Sequence, residues 1–205
     1  MDFYHTPTSC SQATHILLRE AQLEFQSHNV DIFTRTLEDG SDYTKVNPNG
    51  YVPALVLDEG MLLTENVAII DWISGQWPVL LPDGRLGRTR HLQVLAFLST
   101  EVHKPFIPLF FLENEAEQVR VREILAQRFR WIASRLEGDF LFDRFTGADA
   151  FLYVMLRWAA MVGLDAPRSC QAVVEAVERR GSVKADLAME GLQPLCADAV
   201  PSPAT

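Results

Sequence analysis

The sequence predicts an α+β chain: a small mixed sheet with helices in the first third, then an all-helical remainder. Three observations predict it. Strand-like apolar runs gather before residue 65, residues 77–86 (W-P-V-L-L-P-D-G-R-L) hold two prolines and a glycine, and apolar residues thereafter recur at helical spacing. The expected division is a first domain over 1–77, a linker over 78–86 and an all-helical domain over 87–205.

Residues 1–5 read as a first strand ending in a Thr-Pro-Thr-Ser turn. A helix then begins at Ser9 or Cys10 and runs to about Ala21, with Ala13, Ile16, Leu17 and Leu18 on its apolar side. Residues 25–33 fit a second strand and 37–43 an acidic loop. Residues 51–57 and 61–63 flank an Asp-Glu-Gly turn, the pattern of a β-hairpin. The next helix spans 65–74. Thr64 is its expected cap, Glu65 suits the positive end of its dipole, and Val67, Ile69, Ile70 and Ile73 are its apolar positions. The order β-α-β then β-β-α is the thioredoxin-like plan.

Beyond the linker, helical spacing covers 88–112, 117–136, 147–162, 168–179 and 182–189. Pro105 and Pro108 should bend or break the first of these. Thr146 and Asp149 form a capping pair, a structural device. Residues 197–205 read as a loose tail.

The chain has 205 residues, 48% hydrophobic and 22% charged, as expected of a soluble globular protein. Its net charge of -9 argues against nucleic acid or an anionic membrane as partner. Residues 1–77 carry 11 acidic and 3 basic side chains, so an anionic ligand there would meet chiefly Arg35 and Lys45. Cys10, Cys170 and Cys196 form neither a metal-ligand pattern nor an even disulfide framework, and no secretory signal opens the chain. The expectation is a cytoplasmic protein without a metal.

Cys10 follows a turn and opens a helix, where unpaired N–H groups and the dipole favour a thiolate. Such a thiolate could attack a disulfide. Ala13 excludes a Cys-x-x-Cys pair, so an external thiol would have to resolve the product. Pro53 lies at the entry of a strand and calls for an edge position or an unusual peptide bond, leaving the Val52 backbone free for an extended ligand. Thr64, Glu65 and Asn66 combine hydroxyl, carboxylate, amide and helix N–H groups suited to the ammonium and carboxylate of an amino acid.

V-P-A-L, an acidic turn and L-T-E-N-V-A-I together resemble the glutathione-binding half of cytosolic glutathione transferases. Y-H-T-P-T-S-C-S and S-T-E-V-H-K resemble the bacterial beta class, and F-T-G-A-D-A and A-M-E-G-L extend the likeness over nearly the whole chain. The resemblance implies the glutathione transferase fold, a homodimer, and glutathione as co-substrate beside a small electrophile or disulfide. It implies Cys10 and His103 as catalytic residues. Ser9, Arg35, Val52, Pro53, Glu65, Asn66 and Lys104 would hold glutathione, Glu65 and Asn66 at the γ-glutamyl end and Arg35 near the glycine end. His5, Phe106, Phe110 and Trp158, with Phe111, would line the co-substrate pocket, although the aromatic residues fit a core equally well.

Three departures stand out: His5 in place of a tyrosine, Thr8 in place of a glycine, and Ala96 in place of an asparagine that reaches the neighbouring subunit. Conjugation of glutathione and thiol-disulfide exchange through Cys10 both remain open. The alternative is a non-catalytic glutathione- or ligand-binding protein of the same fold.

Overall fold

The structure is a computed structural model that describes residues 1–111 and 113–196. Five strands form one mixed sheet: β1 (Asp2–His5), β2 (Gln26–Asp31), β3 (Thr36–Leu37), β4 (Ala54–Val56) and β5 (Leu62–Thr64). Their spatial order is β3-β2-β1-β4-β5. β1 runs parallel to β2 and antiparallel to β4, with Phe3 opposite Ser27 on one side and Leu55 on the other. The period-two alternation of β1 decides what faces where. Phe3 and His5 are buried toward α1 (Ser11–Glu20), while Tyr4 stacks on His28 and Tyr43 across the other face.

Ala13, Ile16, Leu17 and Leu18 of α1 are fully buried, as their spacing predicts. Burial of each of the larger three contributes about 1.5–3 kcal/mol. The hairpin of β4 and β5 closes through Gly60, at φ +81°, whose N–H donates to Leu57 O at 2.8 Å. Two local readings need correction. Thr64 is the last residue of β5 and does not cap the following α2 (Asn66–Gln76); Glu65 holds the N-cap position at φ +67° without a side-chain cap bond. The expected acidic loop at 37–43 begins on the last residue of β3, which pairs with β2 through only two residue pairs and so leaves no periodic signal.

Among the described residues, the second part is built from helices: α3 (Gly87–Phe97), α4 (Lys104–Leu109), α5 (Glu115–Ala133), α6 (Gly147–Met161), α7 (Arg168–Glu178) and α8 (Gly181–Glu190). Between α3 and α4 a π-helical stretch, Leu98–His103, switches the register immediately before Pro105, where an α-helical N–H would be missing. Pro108 stands one residue before the end of α4. Leu112 and the expected tail at 197–205 lie outside the described residues.

α6 is the central helix, buried on nearly every side. Its start is fixed by the predicted capping pair: the Asp149 carboxylate accepts from the Thr146 N–H at 2.8 Å and from the Leu141 N–H at 2.7 Å. Burial raises that carboxyl to about 6. Gly147 lets α6 approach α2, since a Cβ there would sit 2.5 Å from Ile70 Cγ2 and 3.0 Å from Ser74 Oγ. His91 of α3 closes the joint by accepting the Ala148 N–H at Nε2, 3.0 Å away.

Candidate functional site

A cavity of about 940 Å³ opens where the sheet meets the helical part. That volume suits a medium-sized ligand. One wall is built by the turn Thr6–Cys10, the end of β2, the approach to β4 and the start of α2; the other by the π-helical stretch, α4 and α6. Trp158 of α6 ties the two together by donating its indole N–H to Thr8 O at 2.8 Å. Thr8 adopts φ +63°, a left-handed conformation that a β-branched residue holds only when its surroundings fix it.

Most of the sequence-predicted residues converge here. Ser9, Cys10, Val52, Pro53, Glu65, Asn66, His103, Lys104, Phe110, Phe111 and Trp158 all line the cavity. The Val52–Pro53 peptide is cis. Tyr43 and Asn47 occupy the Tyr51 carbonyl at 2.9 and 2.8 Å, whereas the Val52 N–H has no partner among the described residues. A backbone group so placed can pair with an extended ligand. The Asn66 side chain is committed to the protein: it accepts from the Thr14 hydroxyl at 2.7 Å and donates to Cys10 O at 3.0 Å. Its amide therefore positions the start of α1. The Glu65 carboxylate makes no hydrogen bond among the described residues and stands at the positive end of α2.

Three predicted residues lie elsewhere. His5 shares the inward face of β1 and packs against Phe3 and His15, and burial pushes its imidazole down to about 4. Phe106 is fully buried, edge-on to Phe129 and Trp158, and belongs to the core. Arg35 does not line the cavity; its side chain lies over Gly50, where a Cβ would approach it to 2.9 Å. Lys104 is instead the lysine or arginine that the cavity wall presents, and it comes from the helical part. No spacing in the sequence signals this, because Lys104 reaches the cavity only through the way the helical part folds back beside the sheet.

The thiol itself reverses expectation. Cys10 occupies the N-cap of α1, partly buried, with Sγ 3.9 Å from Val52 O. Burial pushes its pKa up to about 12; its own backbone N–H and Lys104 act in the opposite direction, and Glu65 adds to the rise. Desolvation therefore outweighs the helix start. His103 faces the same cavity and packs on Trp158 with ring centroids 5.2 Å apart. Burial, with Lys104 beside it, lowers its pKa to about 4, and its buried Nε2 has no hydrogen-bond partner among the described residues. The opposite rim is apolar, formed by Phe110, Phe111, Trp158 and Met161. Sequence reasoning missed Phe33 and Met161, both more than half exposed and both lining the cavity; a large exposed apolar side chain is the signal that marks them.

Comparison with known proteins agrees with this arrangement on both sides of the cavity. The family model for the glutathione S-transferase N-terminal domain matches residues 8–76, and that for the C-terminal domain matches 94–181. Glutathione S-transferase GstA of Escherichia coli O157:H7 is 37% identical over 201 residues, covering 94% of this chain and all of that protein. A sphingomonad glutathione S-transferase solved in complex with glutathione is 40% identical with a TM-score of 0.87, and the beta-class enzyme of Sphingomonas chungbukensis is 39% identical with the same score. Each covers 94% of this chain and is covered in full. With both domains matched and relatives alike from end to end, this chain belongs to the glutathione S-transferase family and is similar to its bacterial beta class.

Proposed function

We propose that the protein conjugates the thiol of glutathione to small apolar electrophiles. The carrying observation is the cavity itself, in which a peptide-binding edge and an apolar rim meet at one cysteine and one lysine. Residues 1–77 serve as the glutathione-binding unit, 78–86 as a linker and 87–205 as the unit that supplies the electrophile pocket. The peptide backbone of glutathione pairs with Val52 beside Pro53. Its γ-glutamyl ammonium meets Glu65, and its γ-glutamyl carboxylate meets the first N–H groups of α2, beginning at Asn66.

The sulfur then lies before Ser9 and Cys10, near Lys104. A positive charge and helix N–H groups lower the pKa of the glutathione thiol, so more of it is present as thiolate. Cys10, held protonated by burial, donates S–H to that sulfur. His103 stays neutral and borders the cavity with its ring. The thiolate attacks the electrophilic carbon, the carbon–sulfur bond forms, and the leaving group departs with the electron pair of the broken bond. Phe110, Phe111 and Trp158 hold the acceptor by apolar contact.

The raised Cys10 pKa favours conjugation over a disulfide exchange run by Cys10, because exchange requires its thiolate. Turnover of an aryl halide and of a small mixed disulfide, in wild type and Cys10→Ala, tests this. Conjugation should survive the substitution within about tenfold, the range of one weak hydrogen bond. Disulfide exchange that dominates in wild type and vanishes in Cys10→Ala would overturn it, as would glutathione binding without any turnover. In solution the protein is a homodimer of the cytoplasm, a reading that rests on the family and that sedimentation and fractionation check.

A further inference from the structure

A second cluster of chemistry-bearing side chains lies away from the cavity, where α8 packs on β1 and α1, and it does not depend on the glutathione reading. One ligand atom each from His5, His15 and Glu190 fall within 4.8 Å of one another. The side chains of His15, Asp186 and Glu190 are fully buried and that of His5 is 6% exposed. Each carboxylate uses one oxygen to hold the protein. Asp186 Oδ2 accepts from Gln12 Nε2 at 2.9 Å, and Glu190 Oε2 accepts from the Thr8 N–H at 2.8 Å and from Gln12 at 3.5 Å.

The other oxygens, Asp186 Oδ1 and Glu190 Oε1, have no hydrogen-bond partner among the described residues, and neither do His5 Nδ1 or the two ring nitrogens of His15. Glu190 Oε1 stands 4.0 Å from His5 Nδ1, and Asp186 Oδ1 stands 2.9 Å from His15 Nδ1. The Asp186–His15 contact is an ion pair, which leaves Glu190 Oε1, His5 Nδ1 and His15 Nε2 as buried polar atoms without a hydrogen bond among the described residues, a grouping that native interiors rarely tolerate. Outer hydrogen bonds that fix one oxygen of a carboxylate and leave its twin turned inward are the arrangement found around metal ions.

We propose that His5, His15 and Glu190 bind a divalent transition-metal ion of the zinc type, with Asp186 orienting the His15 imidazole from behind. Two imidazoles and a carboxylate are a zinc donor set. Bonds of about 2.0–2.2 Å place tetrahedral ligands about 3.4 Å apart, so the widest separation must close by about 1.4 Å, a side-chain adjustment around the ion. The two carboxylates balance the double positive charge in a dry site. The ion joins α8 to β1 and α1, segments far apart in sequence, beside the Thr8 turn that borders the cavity. Cysteine spacing could not disclose this site, since no cysteine belongs to it.

The test uses the full chain after chelator treatment, in a Cys10→Ser, Cys170→Ser, Cys196→Ser background, titrated with Zn²⁺ by calorimetry and with Co²⁺ by visible absorption. One ion per chain is expected, with tetrahedral cobalt bands and a Tm raised by about 5 °C at a hundredfold excess over Kd. His5→Phe and Glu190→Gln should each weaken binding at least about tenfold, and His5→Tyr, which keeps a ring in place, serves if His5→Phe does not fold. Failure of the thiol-free protein to bind stoichiometrically overturns the proposal. So does binding that persists undiminished when both His5 and Glu190 are replaced.

Discussion

Cys10 should be a sluggish nucleophile in the protein without ligand, against what its place at a helix start implies. Burial moves the thiol from an ordinary 9.0 to about 12. At pH 7.5 the thiolate fraction falls from about 3% to about 0.003%; with the greater nucleophilicity of a more basic thiolate included, alkylation by iodoacetamide should run about 30- to 60-fold slower than for an unperturbed cysteine. Labelling is followed by mass spectrometry from pH 6 to 10.5 in a Cys170→Ser, Cys196→Ser background, with a cysteine peptide as internal reference. The rate should climb with pH across the whole range without levelling. Lys104→Met should slow it further and Glu65→Gln should speed it, because Lys104 lowers and Glu65 raises the Cys10 pKa. An inflection near pH 6–7 would refute the reasoning and restore a thiolate stabilised by the helix.

Three further outcomes follow from the geometry. Gly147→Ala should destabilise the protein by about 1–3 kcal/mol in urea unfolding, because its new methyl enters the space of Ile70 and Ser74. His91, fully buried and lowered from 6.5 to about 4 by desolvation, favours the folded state while neutral. Its contribution is complete above pH 6.5 and is lost as pH falls toward 4, about 2–3 kcal/mol between pH 7 and 4.5; His91→Gln, which cannot titrate, should flatten that part of the stability profile. Lys104→Met should raise KM for glutathione severalfold, while Arg35→Ala should leave it within about twofold, since only Lys104 lines the cavity.

The architecture was legible wherever one periodicity dominated. The spacing of Ala13, Ile16, Leu17 and Leu18 located α1, and each helix after the linker emerged within a few residues of its expected span. Short elements were not legible: β3 is held by two residue pairs, and the π-helical stretch before Pro105 differs from an α-helix only in which carbonyl each N–H meets. Motif resemblance brought Cys10, Val52, Glu65 and Lys104 to one cavity. It misplaced His5 and Phe106 because the core-facing side of a strand or helix is set by packing that a local pattern only samples. The helix-start argument, in turn, misjudged the Cys10 thiol. A helix start is visible in sequence, whereas desolvation depends on the walls that close around it.

The most direct measurement is a crystal structure of the protein grown with glutathione. The tripeptide should lie along Val52 and Pro53 with its sulfur about 3.5–4 Å from Cys10 Sγ, unbonded to it, on the side of Lys104. A cavity without the tripeptide, a sulfur turned away from Cys10, or a covalent bond between the two sulfurs would contradict conjugation at this site.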